Sequence, residues 1–182
     1  MESFRIDGDE SRGFRIRVDE VQEVDDALVR TLIDIDLQTF AESTFSPYTA
    51  AAFLRNGRVF LLCADEVVIG TCVCIRCWDR PNEAMILSMG IRPGWRGRGL
   101  GQRFVSGVLD KLRARGLRSV SLMVGEENRR AVKVYRDVGF QVVDEGPSDP
   151  RGGERLLLLR KRLRDDDHVE VIELEDSRRQ GT

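Results

Sequence analysis

Ile91-Arg92-Pro93-Gly94-Trp95-Arg96-Gly97-Arg98-Gly99-Leu100-Gly101 is the stretch on which the fold turns. Upstream, Ala84 to Ile91 reads as a strand. Downstream, Leu100, Phe104, Val105, Val108, Leu109 and Leu112 form an apolar helical stripe opposite Arg103, Lys111, Arg113 and Arg115, with Gly116 as a stop. Glycines at 97, 99 and 101 allow backbone shapes and close approaches that a Cβ would obstruct, so several N–H groups can turn toward one anion. The helix adds its positive N-terminal end, and Arg96 and Arg98 supply guanidiniums suited to phosphate oxygens. Together they suit a pyrophosphate. No Gly-Lys-Ser/Thr ends the loop, and Gln102 stands where a dinucleotide fingerprint needs its third glycine, so both of those nucleotide motifs are excluded. The rival reading is a glycine-rich turn that merely joins two elements.

Working outward, Ser119 to Val124 is a further strand, followed by Ala131, Val134, Tyr135 and Val138 at helical spacing between an Asn128 cap and Gly139. Strand, helix, strand, helix implies a parallel crossover and an α/β fold. Toward the N-terminus, Arg58 to Ala64 and Val67 to Trp78 form an antiparallel hairpin about Asp65-Glu66. Before it, Ser46-Pro47 opens a short helix that Gly57 closes in a left-handed conformation. Phe14 to Val18 is a first strand, and Leu28, Val29, Leu32, Ile33, Leu37 and Phe40 share a helical stripe. Phe140 to Asp144 and Arg155 to Leu163 complete the sheet across the loop EGPSDPRGGE.

The 182 residues, 41% of them hydrophobic and 33% charged, suit one ordinary globular domain. No run reaches the roughly 18 apolar residues of a membrane span, and the polar, acidic start MESFRIDGDESRG does not suit a secretory signal, so a cytoplasmic protein is expected. His168 is the sole histidine, which leaves little room for multi-histidine metal sites or imidazole catalysis. Cys72, Cys74 and Cys77 with Cys63 invite comparison with a zinc site, but strand alternation sets Cys77 opposite the other two, so buried thiols and no metal are expected. The chain carries 29 basic and 31 acidic residues, and the acidic tail hides a mildly basic body. The basic run from Arg92 to Arg118 raises a nucleic-acid reading, which the charge balance and scarcity of clustered aromatics disfavour.

These motifs resemble the GNAT superfamily of acetyl-CoA-dependent N-acetyltransferases. Arg96, Gly99 and Gly101 match its phosphate motif in order, and Asn128 to Phe140, N-R-R-A-V-K-V-Y-R-D-V-G-F, matches the helix beside the cofactor thiol. The branch acting on protein N-terminal amines, such as that of ribosomal-protein alanine, is the most similar. The resemblance implies a single-domain mixed, splayed β-sheet flanked by helices over residues 14–163, with an extension at 1–13 and an acidic tail at 164–182. It implies acetyl-CoA as acyl donor and a primary amine as acceptor, with neither nucleic acid nor membrane as partner; a homodimer stays open. It assigns cofactor contacts to Met89, Gly90, Ile91, Arg96, Gly97, Arg98, Gly99, Leu100, Gly101, Asn128 and Tyr135. The amides of the first three would receive pantetheine and hold an oxyanion, and Tyr135 would protonate the departing thiolate. Read from spacing alone, Tyr135 is a packing residue and Asn128 a helix cap.

The general base is where the chain departs from the family. Met123 occupies the position of the glutamate common in the N-terminal branch, leaving Glu83, Glu126 and Glu127 as substitutes, each also readable as a surface carboxylate. At pH 7 about one α-amine in seven is neutral against about one lysine in 2,500, so a missing strong base favours an α-amine. A catalytically silent acyl-CoA-binding sensor is the alternative function. The acceptor pocket is expected from Thr39 to Tyr48 and from the EGPSDPRGGE loop.

Overall fold

The computed structural model describes residues 13–21, 23, 25–40, 46–148, 153 and 155–164. Alternating Val, Ile and Cys residues form strands β2 (Arg58–Ala64) and β3 (Val67–Arg76), which pair antiparallel around Asp65 at φ 51°. β1 (Ile16–Glu20) lies outside β2, and β4 (Glu83–Ile91) lies on the other side of β3, again antiparallel. Helix α3 (Leu100–Ala114) then carries the chain over to β5 (Ser119–Gly125), the one parallel neighbour among the described strands. After helix α4 (Arg129–Asp137) the chain returns as β6 (Gln141–Ser148) and β7 (Arg155–Arg162). The mixed sheet runs β1-β2-β3-β4-β5-β7-β6.

The two faces of the sheet are unequal. Beneath α3 and α4 lies an extended core built on Phe60, Leu62, Phe104, Val105, Val108, Leu122 and Leu159. Helices α1 (Asp26–Phe40) and α2 (Pro47–Asn56) cover the other face with a smaller cluster of Leu32, Ala50, Leu54, Val59 and Val73. Ser46 caps α2 as its sequence indicates, its hydroxyl accepting from the Thr49 amide at 3.1 Å.

Local expectations and structure part where tertiary contacts intervene. The first strand begins two residues late, leaving Phe14 edge-to-face on Trp95 with centroids 5.1 Å apart. In α1 the buried residues are Leu32, Ile35 and Asp36, while Leu37 and Phe40 are exposed. Gly90 accounts for this, because a Cβ there would stand 2.5 Å from the Thr39 hydroxyl. The stripe containing Ile35 and Thr39 therefore presses on β4, and Leu37 and Phe40 turn outward. Gly57 is extended rather than left-handed, with φ −110°, and its missing side chain leaves room for the Cys74 and Phe53 carbonyl oxygens, 2.5 and 2.8 Å from a Cβ. β6 continues through Ser148 into the segment read as a loop. The tail, the extension up to residue 12 and most of the remaining loop fall outside the described residues.

Glu83 fastens the end where β4 and β5 pair. Only 2% exposed, it accepts hydrogen bonds from Ser121 at 2.7 Å and Ser119 at 3.1 Å, and Arg80 and Arg160 lie 3.2 and 3.1 Å from Oε2. Arg160 Nε sits beside the carboxylate without the alignment of a hydrogen bond, so its contribution is charge. Burial pushes the Glu83 carboxyl up, but the Ser121 and Ser119 hydroxyls, the Arg80 guanidinium and the charge of Arg160 reverse this and hold it below the usual range. Glu83→Ala should lower unfolding free energy by about 3 kcal/mol, measured by urea denaturation. A carboxyl with a depressed folded-state pKa contributes fully above its unfolded value, about pH 4.3, and loses that contribution as pH falls through the folded value. Glu83→Gln should therefore flatten the acid limb of the stability profile.

Candidate active site

β4 and β5 pair from Glu83↔Ser119 to Ile86↔Leu122 and no further. At that point the register between β3 and β4 jumps from Cys74↔Ile86 to Val73↔Ser88, leaving Leu87 as an extra residue, a β-bulge. Beyond it β4 stays with β3 while Met123, Val124 and Gly125 of β5 pair with β7, so the central strands part and a gap opens between them. The Arg92 amide donates to Ile69 O on β3 at 2.9 Å. Strand alternation then points the Gly90 backbone groups at β3 and those of Met89 and Ile91 into the gap. Of the three expected backbone contacts, Gly90 is thus a packing glycine against α1, and the outer two have the direction a ligand needs.

Two helix N-termini stand at the ends of the parting strands. Gly97 and Gly99 have φ of 79° and 74°, and Gly99 is the N-cap of α3, a sequence of turns that leaves first-turn amides without intrahelical acceptors. A Cβ at Gly99 would meet nothing within 4 Å, so space lies beside the loop. Gly101 touches α4, where a Cβ would lie 3.6 Å from Val134, and Gln102 donates to Asp137 at 2.6 Å. Leu100 is buried, so its side chain belongs to the core and only its amide is available to the site. Asn128 caps α4 by accepting from the Ala131 amide at 3.1 Å.

The arginines differ most from the sequence reading. Arg96 donates through Nε to Ile91 O at 2.7 Å and through Nη2 to Gln38 O at 3.3 Å, tying the end of β4 to the end of α1. Arg98 lies over the Trp95 ring at 5.1 Å and donates to Gly94 O at 3.0 Å. Arg130, on the first turn of α4, comes within 4.0 Å of the Cβ position of Gly97. Sequence reasoning missed Arg130, whose only signal was its place two residues after the capping Asn128.

Tyr135 is 9% exposed, with its ring edge-to-face on Phe140 at 5.7 Å. Burial raises its phenol above the usual value, reinforced by Cys72 and Cys74, so it is fully protonated at neutral pH. Packing and proton donation are compatible here. Cys72 and Cys74 lie side by side with sulfurs 3.8 Å apart, and burial pushes the Cys63 thiol up to about 11. Among the described residues no three His, Cys, Asp or Glu side chains converge as metal ligands.

The carboxylates expected as bases are distributed differently. Glu83 lies at the closed end of the strand pair with its oxygens occupied, which removes it from the open half of β4. Glu126 is exposed past the end of β5 and, with Glu127, Lys133 and Arg136, lines a cleft of about 810 Å³ along α4 to which β4 contributes nothing. Met123 is 47% exposed, and because Leu122 and Val124 point into the α3/α4 core it looks out on the opposite face. On that face Ser88, directly after the bulge, donates to Asp36 at 3.2 Å. Asp36 is 2% exposed, and sequence reasoning did not single it out.

Residues 23–140 match the acetyltransferase (GNAT) family. The chain belongs to the GNAT acetyltransferase family. Over 54 residues it is 48% identical to a mycothiol acetyltransferase of Thermobifida fusca, a match covering 30% of this chain and 17% of that protein. It is 24% identical over 103 residues to the [ribosomal protein bS18]-alanine N-acetyltransferase of Escherichia coli, covering 57% of this chain and 62% of the relative. This GNAT chain therefore matches less than two thirds of either relative's length. The fold agrees with the crystal structure of the ribosomal-protein-S18-alanine N-acetyltransferase from Escherichia coli, at TM-score 0.71 and 16% identity over 85% of this chain and 98% of the other. A Salmonella typhimurium acetyltransferase solved with its cofactor acetyl-CoA gives TM-score 0.66 and 19% identity over 84% and 95%.

The raised phenol can be measured directly. In Tyr48→Phe, Tyr135 is the sole tyrosine, and its ultraviolet ionisation should occur well above the ordinary phenol value of about 10.

Proposed function

We propose that this protein transfers the acetyl group of acetyl-CoA to a primary amine by direct attack within a ternary complex. The observation that carries the reading is the parting of β4 and β5 beneath two helix N-termini. Backbone amides around Gly97, Gly99 and Gly101 would bind the diphosphate, with Arg130 above them supplying charge. Arg96 and Arg98 would shape the loop through their carbonyl contacts. Met89 and the Ile91 amide would pair with pantetheine, the Ile91 carbonyl being held by Arg96, and the Met89 amide would polarise the thioester carbonyl. Tyr135 would donate its proton to the departing thiolate, and Asn128 would contact the pantetheine arm.

The core under α3 and α4 fills one face of the sheet, so the amine would approach from the α1 side. The N-terminal alanine enzyme among the structural relatives supports an α-amine of a peptide or protein as acceptor, ahead of a lysine or a small-molecule amine. The alternative, an acyl-CoA-binding sensor without turnover, draws support from Met123 and from the sequestered Glu83.

Calorimetry with acetyl-CoA tests the cradle. Gly99→Glu should weaken binding at least tenfold beyond Gly99→Ala, which shares the backbone cost without the charge, and Arg130→Glu should weaken it about tenfold. Equal affinity in all variants would remove the loop from the site. Tyr135→Phe should bind acetyl-CoA normally and lose about 100-fold or more in kcat. Thiol release on any peptide or small amine would exclude the sensor.

A further inference from the structure

A transferase of this design needs somewhere to put the proton that its amine loses, and the position of the usual glutamate holds Met123. The α3/α4 core fills one face of the sheet, so the opposite face is the one from which an amine would reach the thioester. On that face Ser88 is the first residue after the bulge, and its neighbour Met89 turns its amide into the gap. Consecutive residues thus offer a donor to the carbonyl oxygen and a hydroxyl to the incoming amine. Ser88 is hydrogen-bonded to Asp36, which the close approach of α1 at Gly90 brings against β4.

We propose that Asp36, acting through the Ser88 hydroxyl, accepts the amine proton. This rests on the transferase reading above. As the amine nitrogen bonds to the carbonyl carbon, its N–H bond breaks and the proton passes to Ser88 Oγ, while the Ser88 proton passes to Asp36 Oδ1. The carbon–sulfur bond breaks, and the thiolate takes the proton of Tyr135. Exchange with water then removes the proton gained by Asp36 and restores that lost by Tyr135. Asp36 is a positioning and proton-holding residue, and Ser88 is the group that meets the amine.

The test measures thiol release from acetyl-CoA with an alanine-initiated peptide and a series of small primary amines of graded basicity. Asp36→Asn should lower kcat about 100-fold or more, with calorimetric affinity for acetyl-CoA within about twofold of wild type. Asp36→Glu should recover part of that loss, and added formate should restore turnover to Asp36→Ala. A merely structural aspartate would give neither recovery. Ser88→Ala, which leaves the buried carboxylate in place, should lower kcat about tenfold and serves as the measure should Asp36 variants fail to fold. Wild-type kcat in folded Asp36→Asn, or in Ser88→Ala, would overturn the assignment while leaving the transferase reading intact. Wild-type protein that binds acetyl-CoA but turns over no amine would overturn both.

Discussion

Past the pair Ile86 and Leu122, the two parallel strands at the centre of the sheet stop hydrogen-bonding to one another, and the site follows from that interruption. Backbone amides and carbonyls inside a sheet need partners, and leaving them unmet is costly. One extra residue, Leu87, shifts the register of β4 against β3, with which it stays paired, and β5 at the same level pairs with β7. The gap thus exposes polar backbone edge in an otherwise continuous sheet. An extended ligand with amide groups can complete such an edge as a missing strand would.

A sheet open at one end has to be secured at the other. Glu83 does so where the strands still pair, bridging β4 to Ser119 and Ser121 of β5 and to Arg160 of β7. The open end is stiffened by Arg96, which joins the last residue of β4 to α1. Arg98, Trp95 and Phe14 form a stacked unit that holds the loop from outside. Residues that look like free charges in sequence are therefore parts of a frame that holds the backbone of the loop.

What was legible in sequence was local. Gly97 and Gly99 announce their left-handed backbone, Asn128 its cap, Ser46-Pro47 the start of α2, and the apolar stripe of α3 its buried face. Each depends on neighbours within a few positions. What was not legible depends on contacts across the fold. Gly90 is a glycine because α1 crosses there, Asp36 is buried on α1 opposite Ser88, and Arg130 reaches Gly97 because α4 begins beside the loop. Glu83 illustrates the same limit in reverse: a carboxylate that reads as a surface group is buried because two serines and Arg160 from elsewhere converge on it beside its near neighbour Arg80.

The separation of the two hydrophobic clusters also bears on how such a protein can diversify. Phe104, Val108 and Leu122 pack beneath α3 on one side of the sheet, whereas Leu32, Leu54 and Val73 hold α1 and α2 on the other with no shared members. Changes accumulating around α1 and α2 can remodel that face without disturbing the packing beneath α3 and α4. A fold built this way can hold one half fixed while the other drifts.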